Sequence, residues 1–246
     1  MENYVYLYVQ PFLTKLCIFN WYLLSYDKQH FMLGGITLKI LLLGATGRVG
    51  QEVLKLALND GHYVTAFVRD PKKLSEKNDN LSIFVGNALN KENILTAIPN
   101  HDIVISAMGT DGKETLSESM PYIIEAMENN KVKRIITVGT AGILKSRVSP
   151  PLYRYQSSET KRRSSRATRA AEDHRKAYEL LANSRLNWTV VCPTYIPDGE
   201  KLGVYRYEKD YLPMDGLSIS VSDTADFTYK QANSNEFIYS RVGLSY

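Results

Sequence analysis

Gly44-Ala45-Thr46-Gly47-Arg48-Val49-Gly50 lies between the apolar run Lys39–Leu43 (KILLL) and a segment, 48–60, whose Val49, Val53, Leu54, Leu56 and Leu58 fall on one helical face. A strand that passes into a helix through glycines at these spacings is a turn suited to an anion. Gly44 lets the chain leave the strand sharply, Gly47 leaves room for a diphosphate against the backbone, and Gly50 lets the helix lie close on the strand. The first N–H groups of the helix lack intrahelical partners, and together with the positive dipole end they face the negative charge. Glycine spacing alone is a weak signal; its position after the domain's first strand and before an amphipathic helix makes it specific. Gly44, Thr46, Gly47, Arg48 and Val49 are the loop residues expected to hold the ligand.

The chain beyond the loop keeps the same alternation. Strands are expected at Tyr63–Val68, Leu81–Val85, 102–107, Arg134–Val138 and 188–192, with helices at Lys91–Ala97, 116–129 and 171–183 between them. Such alternation implies right-handed crossovers and a parallel sheet, the α/β class. KILLL and DIVIS are continuously apolar instead of alternating, as strands buried on both faces are. Toward the C-terminus, strands are expected near 203–207 and 217–221, a helix from Ser222 and a closing strand at 236–239.

Composition narrows the class. In 246 residues, 44% are hydrophobic and 23% charged, which excludes a disordered chain, and 15 glycines with 9 prolines exclude a collagen-like one. Two cysteines, Cys17 and Cys192, cannot form a disulfide framework, and that count fits a reducing, cytoplasmic setting. His30, His62, His101 and His174 are scattered singly, so no metal site is expected. A net charge of +4 does not by itself imply nucleic acid as a partner. Residues 1–36 are aromatic-rich but interrupted by Gln10, Pro11 and Lys15, short of the ~20 apolar residues of a membrane span. They are read as an N-terminal extension outside the fold, set against a peripheral or partner-binding segment, with the functional domain at 37–246.

The end of the second strand speaks to the coenzyme. NAD-binding proteins usually place an acidic residue there; this chain has Arg69, whose planar fork suits a 2′-phosphate. NADP(H) is therefore the expected cofactor, with Asp70 directed to Lys72, Lys73 or the following turn. Asn87 and Ala88 end the third strand at the adenine edge, and Ala107, Met108 and Gly109 end the fourth, where small residues let the nicotinamide ribose pass.

These residues resemble an atypical short-chain dehydrogenase/reductase of the NAD(P)H-binding, NmrA-like group, nearest to the flavin reductase/biliverdin reductase B type. The pattern is GATGRVG, VRDPKKL, VGNALN, ISAMGT, VGTAG, EDHRKAYELLANSRLNWTVVCPTYIPDGE and SDTADF, in order over about residues 38–240. The resemblance implies a Rossmann-type doubly wound parallel sheet with a small C-terminal substrate-side lobe. It also implies reduction of a flavin, quinone or tetrapyrrole with NADPH. Thr140 matches the Ser/Thr after the fifth strand, His174 the family's helix histidine, and Pro193-Thr194-Tyr195-Ile196 the loop over the nicotinamide. The resemblance thus makes Thr140, His174 and Tyr195 the catalytic candidates and adds Pro193 to the cofactor residues. Asn87 replaces a frequent Asp, and Tyr195 replaces a histidine of the mammalian flavin reductases.

Conventional members carry a Tyr and a Lys four residues apart on one helix, the lysine lowering the phenol's pKa. Of 17 tyrosines only Tyr205 has such a lysine, Lys209, beyond the sixth strand and in an expected hairpin. Alcohol chemistry by that route is disfavoured; an already electrophilic ring needs only to be bound and oriented. Between 145 and 176 stand ten basic and three acidic residues, read as a solvated, mobile run or alternatively a lid attracting anionic substrates. The expected partner is a small-molecule acceptor, with no nucleic acid or membrane, for a monomer or weak homodimer. The rival readings are an NADP(H) sensor without turnover and a nucleotide-sugar epimerase-type enzyme.

Overall fold

The computed structural model describes residues 36–110, 113–160 and 164–246, and Leu38–Tyr246 build one compact unit. The expectation for residues 1–36 lies outside the described residues except for Ile36.

The apolar runs form the strands they suggested: β1 Lys39–Leu43, β2 Tyr63–Val68, β3 Leu81–Val85, β4 Ile103–Ser106, β5 Arg134–Val138 and β6 Asn187–Pro193. With β7 Arg206–Lys209 and β8 Ser240–Ser245 they make one sheet in the order β3-β2-β1-β4-β5-β6-β8-β7. Every pair is parallel except β7 with β8. This is the Rossmann-type doubly wound arrangement. The strand order reverses at β1, opening a crevice at the carboxyl ends of β1 and β4, and register pairs Leu43 with Ser106 there.

Successive residues of β1 serve opposite layers. Leu41 and Leu43 join Val104 and Ile135 beneath α2 Lys91–Ala97, α3 Thr115–Asn129 and α4 Ser165–Ala182, contacting Ile94, Ile123, Met127 and Leu181. Ile40 and Leu42 turn the other way, to Val53, Leu54 and Ala57 of α1 Arg48–Asn59 and Ala225 and Phe227 of α5 Val221–Lys230. All four β1 side chains are fully buried, which explains the unbroken apolar run. Each such chain contributes roughly 1.5–3 kcal/mol relative to exposure.

The C-terminal part departs from expectation. No strand forms at 217–221: Ser218 makes a single bridge to Tyr195, and Ser220 caps α5 by accepting from the Asp223 N–H at 3.0 Å. The closing strand is Ser240–Ser245 instead of 236–239, because Tyr239 turns the chain at φ +57°. β7 begins three residues later than expected. α4 starts at Ser165, six residues before its expected start, because Ser164 caps it at 3.2 Å from the Ala167 N–H. Among the described residues no helix is long and apolar enough to cross a membrane.

Candidate functional site

Gly44 is held at φ +81°, and a Cβ there would lie 2.7 Å from the Ala107 carbonyl carbon and oxygen. The ends of β1 and β4 therefore meet backbone to backbone, and only glycine fits. A Cβ on Gly50 would stand 2.1 Å from the Gly44 oxygen, so the third glycine seats α1 on the turn. Gly47 caps α1 with extended backbone and no side chain over the helix end. The loop is closed on itself by Gly47 N–H to Gly44 O at 3.0 Å and held from α1 by the Gln51 side-chain amide, which donates to Thr46 O at 3.0 Å. The result is an open helix N-terminus facing the crevice.

A cleft of about 480 Å³ runs from this loop across the strand ends. Gly44, Thr46 and Gly47 form its middle, and Phe67, Val68, Arg69 and Lys73 one wall. Asn87, Ala88 and Leu89 continue that wall, while Ala107, Met108, Gly109, Lys113 and Thr115 form the other side. Among the described residues the lining contains Arg69, Lys73 and Lys113 but no carboxylate. A polyanion fits that donor set and its glycine cradle. Asp70 is engaged elsewhere, capping the short turn Pro71–Lys73 by accepting from the Lys72 N–H at 3.1 Å.

Nine of the twelve expected cofactor residues share this cleft: Gly44, Thr46, Gly47, Arg69, Asn87, Ala88, Ala107, Met108 and Gly109. Three do not line it. Val49 packs toward the α1 core, and Pro193 is buried at the end of β6, paired with Leu244. Arg48 reaches across to the loop after β6, donating through Nη1 to Ile196 O and Asp198 Oδ1, both at 3.0 Å. Lys73, Lys113 and Thr115 were not among the expected residues. Lys73 had a signal, four positions after Arg69 in VRDPKKL; Lys113 stands in a loop with no pattern to mark it.

The three catalytic candidates sit in separate settings, none lining the cleft. Thr140 Oγ1 accepts from the Gly142 N–H at 3.3 Å and so caps the turn Ala141–Ile143. His174 faces a crevice of about 10 Å³ with Thr137, Gly139 and Tyr178, and burial lowers its pKa to about 4 against the pull of Asp173. Tyr195 is 70% exposed. Tyr205 donates to Asp226 at 2.7 Å, and Asp226 pairs with Lys201 and Lys230 at 2.7 and 2.8 Å. Burial and that carboxylate raise the phenol's pKa, so the Tyr205/Lys209 spacing is not a relay.

Much of the basic stretch is tied down instead of mobile. Glu159 accepts from Ser146 Oγ at 2.7 Å, Val148 N–H at 3.1 Å, Arg154 Nε at 3.0 Å and the Arg147 N–H. Burial opposes ionisation of Glu159, but these bonds outweigh it and bring its pKa to about 2. Lys145 pairs with Asp210 at 2.9 Å, Arg147 with Glu208 at 2.5 Å and Arg175 with Glu179 at 2.6 Å. Lys161, Arg162 and Arg163 lie outside the described residues. Among the described residues no three His, Cys, Asp or Glu side chains gather as a metal site would require.

The NAD(P)H-binding family matches residues 44–235, from the first glycine through α5 and beyond. The chain belongs to the NAD(P)H-binding family. YwnB of Bacillus subtilis (strain 168) is 29% identical over 196 residues, covering 77% of this chain and 88% of that protein. A Streptococcus pneumoniae TIGR4 structure, assigned as an NADH-flavin reductase, superposes with TM-score 0.70 at 25% identity, covering 85% of this chain and 99% of that one. A Bacteroides thetaiotaomicron structure, assigned as an epimerase, superposes with TM-score 0.75 at 26% identity, covering 85% and 97%. The chain spans about a third of the length of the plant eugenol synthases and ether reductases it also matches, 33% in each case. The coenzyme class drawn from the glycine loop is thus borne out, while relatives of like similarity carry different activities.

Proposed function

We propose that this protein is an NADPH-dependent reductase of a flavin, quinone or similar conjugated acceptor, with residues 37–246 as its working unit in a cytoplasmic setting. The single observation that carries this reading is the composition of the cleft. It joins an open helix N-terminus to three cations, with no carboxylate among the described lining residues and Asp70 turned to the cap of Pro71–Lys73. Backbone N–H groups at the start of α1 would hold the diphosphate. Arg69 and Lys73, on the same wall, would hold a 2′-phosphate. Ala107, Met108 and Gly109 would let the nicotinamide half lie against β4. When bound, the reduced coenzyme supplies the hydride.

What the chain itself contributes is orientation. No Tyr/Lys pair on α4 offers a proton relay, and the half-buried His174, its pKa lowered by desolvation, is neutral near pH 7. Acceptors whose rings take a hydride directly, with the proton from water, suit such a site. Tyr195, exposed on the loop after β6, would stack against a planar acceptor, and Thr140 would donate to it or to the carboxamide. NADPH oxidation assayed against FMN, quinones and biliverdin should show turnover with at least one, and Arg69→Ala should weaken NADPH binding. Unchanged NADPH affinity in that variant removes the basis for the coenzyme choice.

The sensor reading draws on one observation, that Thr140, His174 and Tyr195 make separate contacts outside the cleft lining. It expects NADPH binding with no oxidation across the whole panel.

A further inference from the structure

Arg48 is the first residue of α1 and stands beside the uncapped end of that helix, yet its guanidinium is bound across the site. Both Nη1 hydrogens are used, one on Ile196 O and one on Asp198. Nε and Nη2, with three N–H groups between them, have no partner among the described residues, and the side chain is 61% exposed. The loop it grips leaves β6 and carries Tyr195. From behind, that loop is pinned to α5. Asp223 accepts from the Leu202 and Gly203 N–H groups at 2.9 and 2.8 Å, and the Val221 N–H donates to Pro197 O at 3.2 Å. On the glycine-loop side its hold is Arg48.

We propose that Arg48 is a positioning residue that clasps the acceptor-side loop to the coenzyme, through Asp198 and Ile196. A guanidinium is a rigid fork, so an anion held by Nε and Nη2 fixes the direction in which Nη1 points. A diphosphate at the start of α1 is such an anion. Coenzyme binding then orders residues 195–198 and sets Tyr195 over the cleft, and the acceptor meets a finished wall only on the loaded protein. Coupling of this kind is reciprocal and of the size an exposed ion pair allows. This inference rests on the coenzyme reading above.

The test uses the full chain with NADPH as the probe and hydrogen exchange of peptides covering 194–205 as the readout. In the wild type, saturating NADPH should slow exchange there by about two- to fivefold, the range open to an exposed pair. Asp198→Asn should lose that increment while NADPH Kd rises by no more than the same roughly two- to fivefold, since Asp198 stands in the loop and does not line the cleft. Its acceptor KM should rise more than kcat falls, and Asp198→Glu should restore both protection and KM. Wild-type exchange unchanged by bound NADPH, or protection kept in Asp198→Asn, overturns the clasp and leaves the reductase reading standing. No NADPH binding at all overturns the reductase reading and the clasp with it.

Discussion

The Asp173 carboxylate on α4 caps α3 at Ser117, fifty-six residues away, accepting from its N–H at 2.9 Å and its hydroxyl at 2.6 Å. The same carboxylate takes the Leu116 N–H at 3.1 Å and is buried. α3 begins with Glu114 in the cap position, whose side chain makes no capping bond and pairs with Lys176 instead, so the cap comes from another helix. That cap also fixes where Lys113 and Thr115 present themselves to the cleft.

Asp173→Ala should therefore destabilise the fold by about 1–3 kcal/mol, the cost of leaving buried N–H groups without an acceptor. It should also weaken NADPH binding, because the wall carrying Lys113 loosens. Urea unfolding and a coenzyme titration measure the two effects. Wild-type stability in the variant would show that water replaces the carboxylate at no cost.

Gly50→Ala tests the seat of α1. The added methyl would meet Gly44 O at 2.1 Å and the Gly44 carbonyl carbon at 2.9 Å, both backbone atoms that cannot swing aside. Overpacking of this kind costs about 1–3 kcal/mol and pushes the helix end off the loop. Coenzyme binding should fall at least tenfold, read by fluorescence titration. Gly199→Ala is the control, since it lies outside the cleft lining and the nearest atom to its added carbon is Ser220 Cβ at 3.5 Å, an ordinary contact.

Lys73→Ala should act on NADPH and spare NADH. Lys73 and Arg69 share the wall beyond β2, where a 2′-phosphate would stand, and each charge-assisted hydrogen bond contributes about 1.5–3 kcal/mol. The ratio of NADPH to NADH affinity should drop by about tenfold or more on that basis, and the loss should shrink in high salt. An equal loss for both coenzymes would put Lys73 at the diphosphate instead.

How much of this was legible depends on how locally each feature is encoded. β1 and β4 were readable because burial on both faces demands unbroken apolar runs, and KILLL and DIVIS have them, whereas the edge strand β3, LSIFV, was readable from its apolar composition although none of it is buried. β8 was hidden, since SRVGLS is half polar yet buried along its whole length. Its Arg241 survives burial because Asp210 accepts from Nη2 at 3.2 Å, Ile143 O accepts from Nη1, and the Tyr178 ring lies 4.5 Å away. Those partners are 31 to 98 residues distant, beyond any local pattern. SDTADF was visible as a string, but not that its Asp223 and Asp226 hold the loop at 201–205. Arg48 was legible as a glycine-loop residue, but not its bond to Asp198, because that partner is 150 residues on.

His174 gives the last prediction, and its sign follows from the desolvation of its half-buried ring. Its folded pKa is lowered to about 4 from an ordinary 6.5, so the folded state favours the neutral ring. The unfolded chain then binds the extra proton first, and stability present above pH 6.5 is lost as the pH falls toward 4. His62, lowered by its own burial, adds loss in the same direction. His174→Gln should therefore flatten, without abolishing, the decline of Tm between pH 6.5 and 4. A ring that stays neutral also donates no titrating proton near pH 7, so NADPH oxidation by the wild type should be level from about pH 6 to 8. A bell centred near 6.5 that vanishes in His174→Gln would mean the ring is exposed and acting as an acid after all.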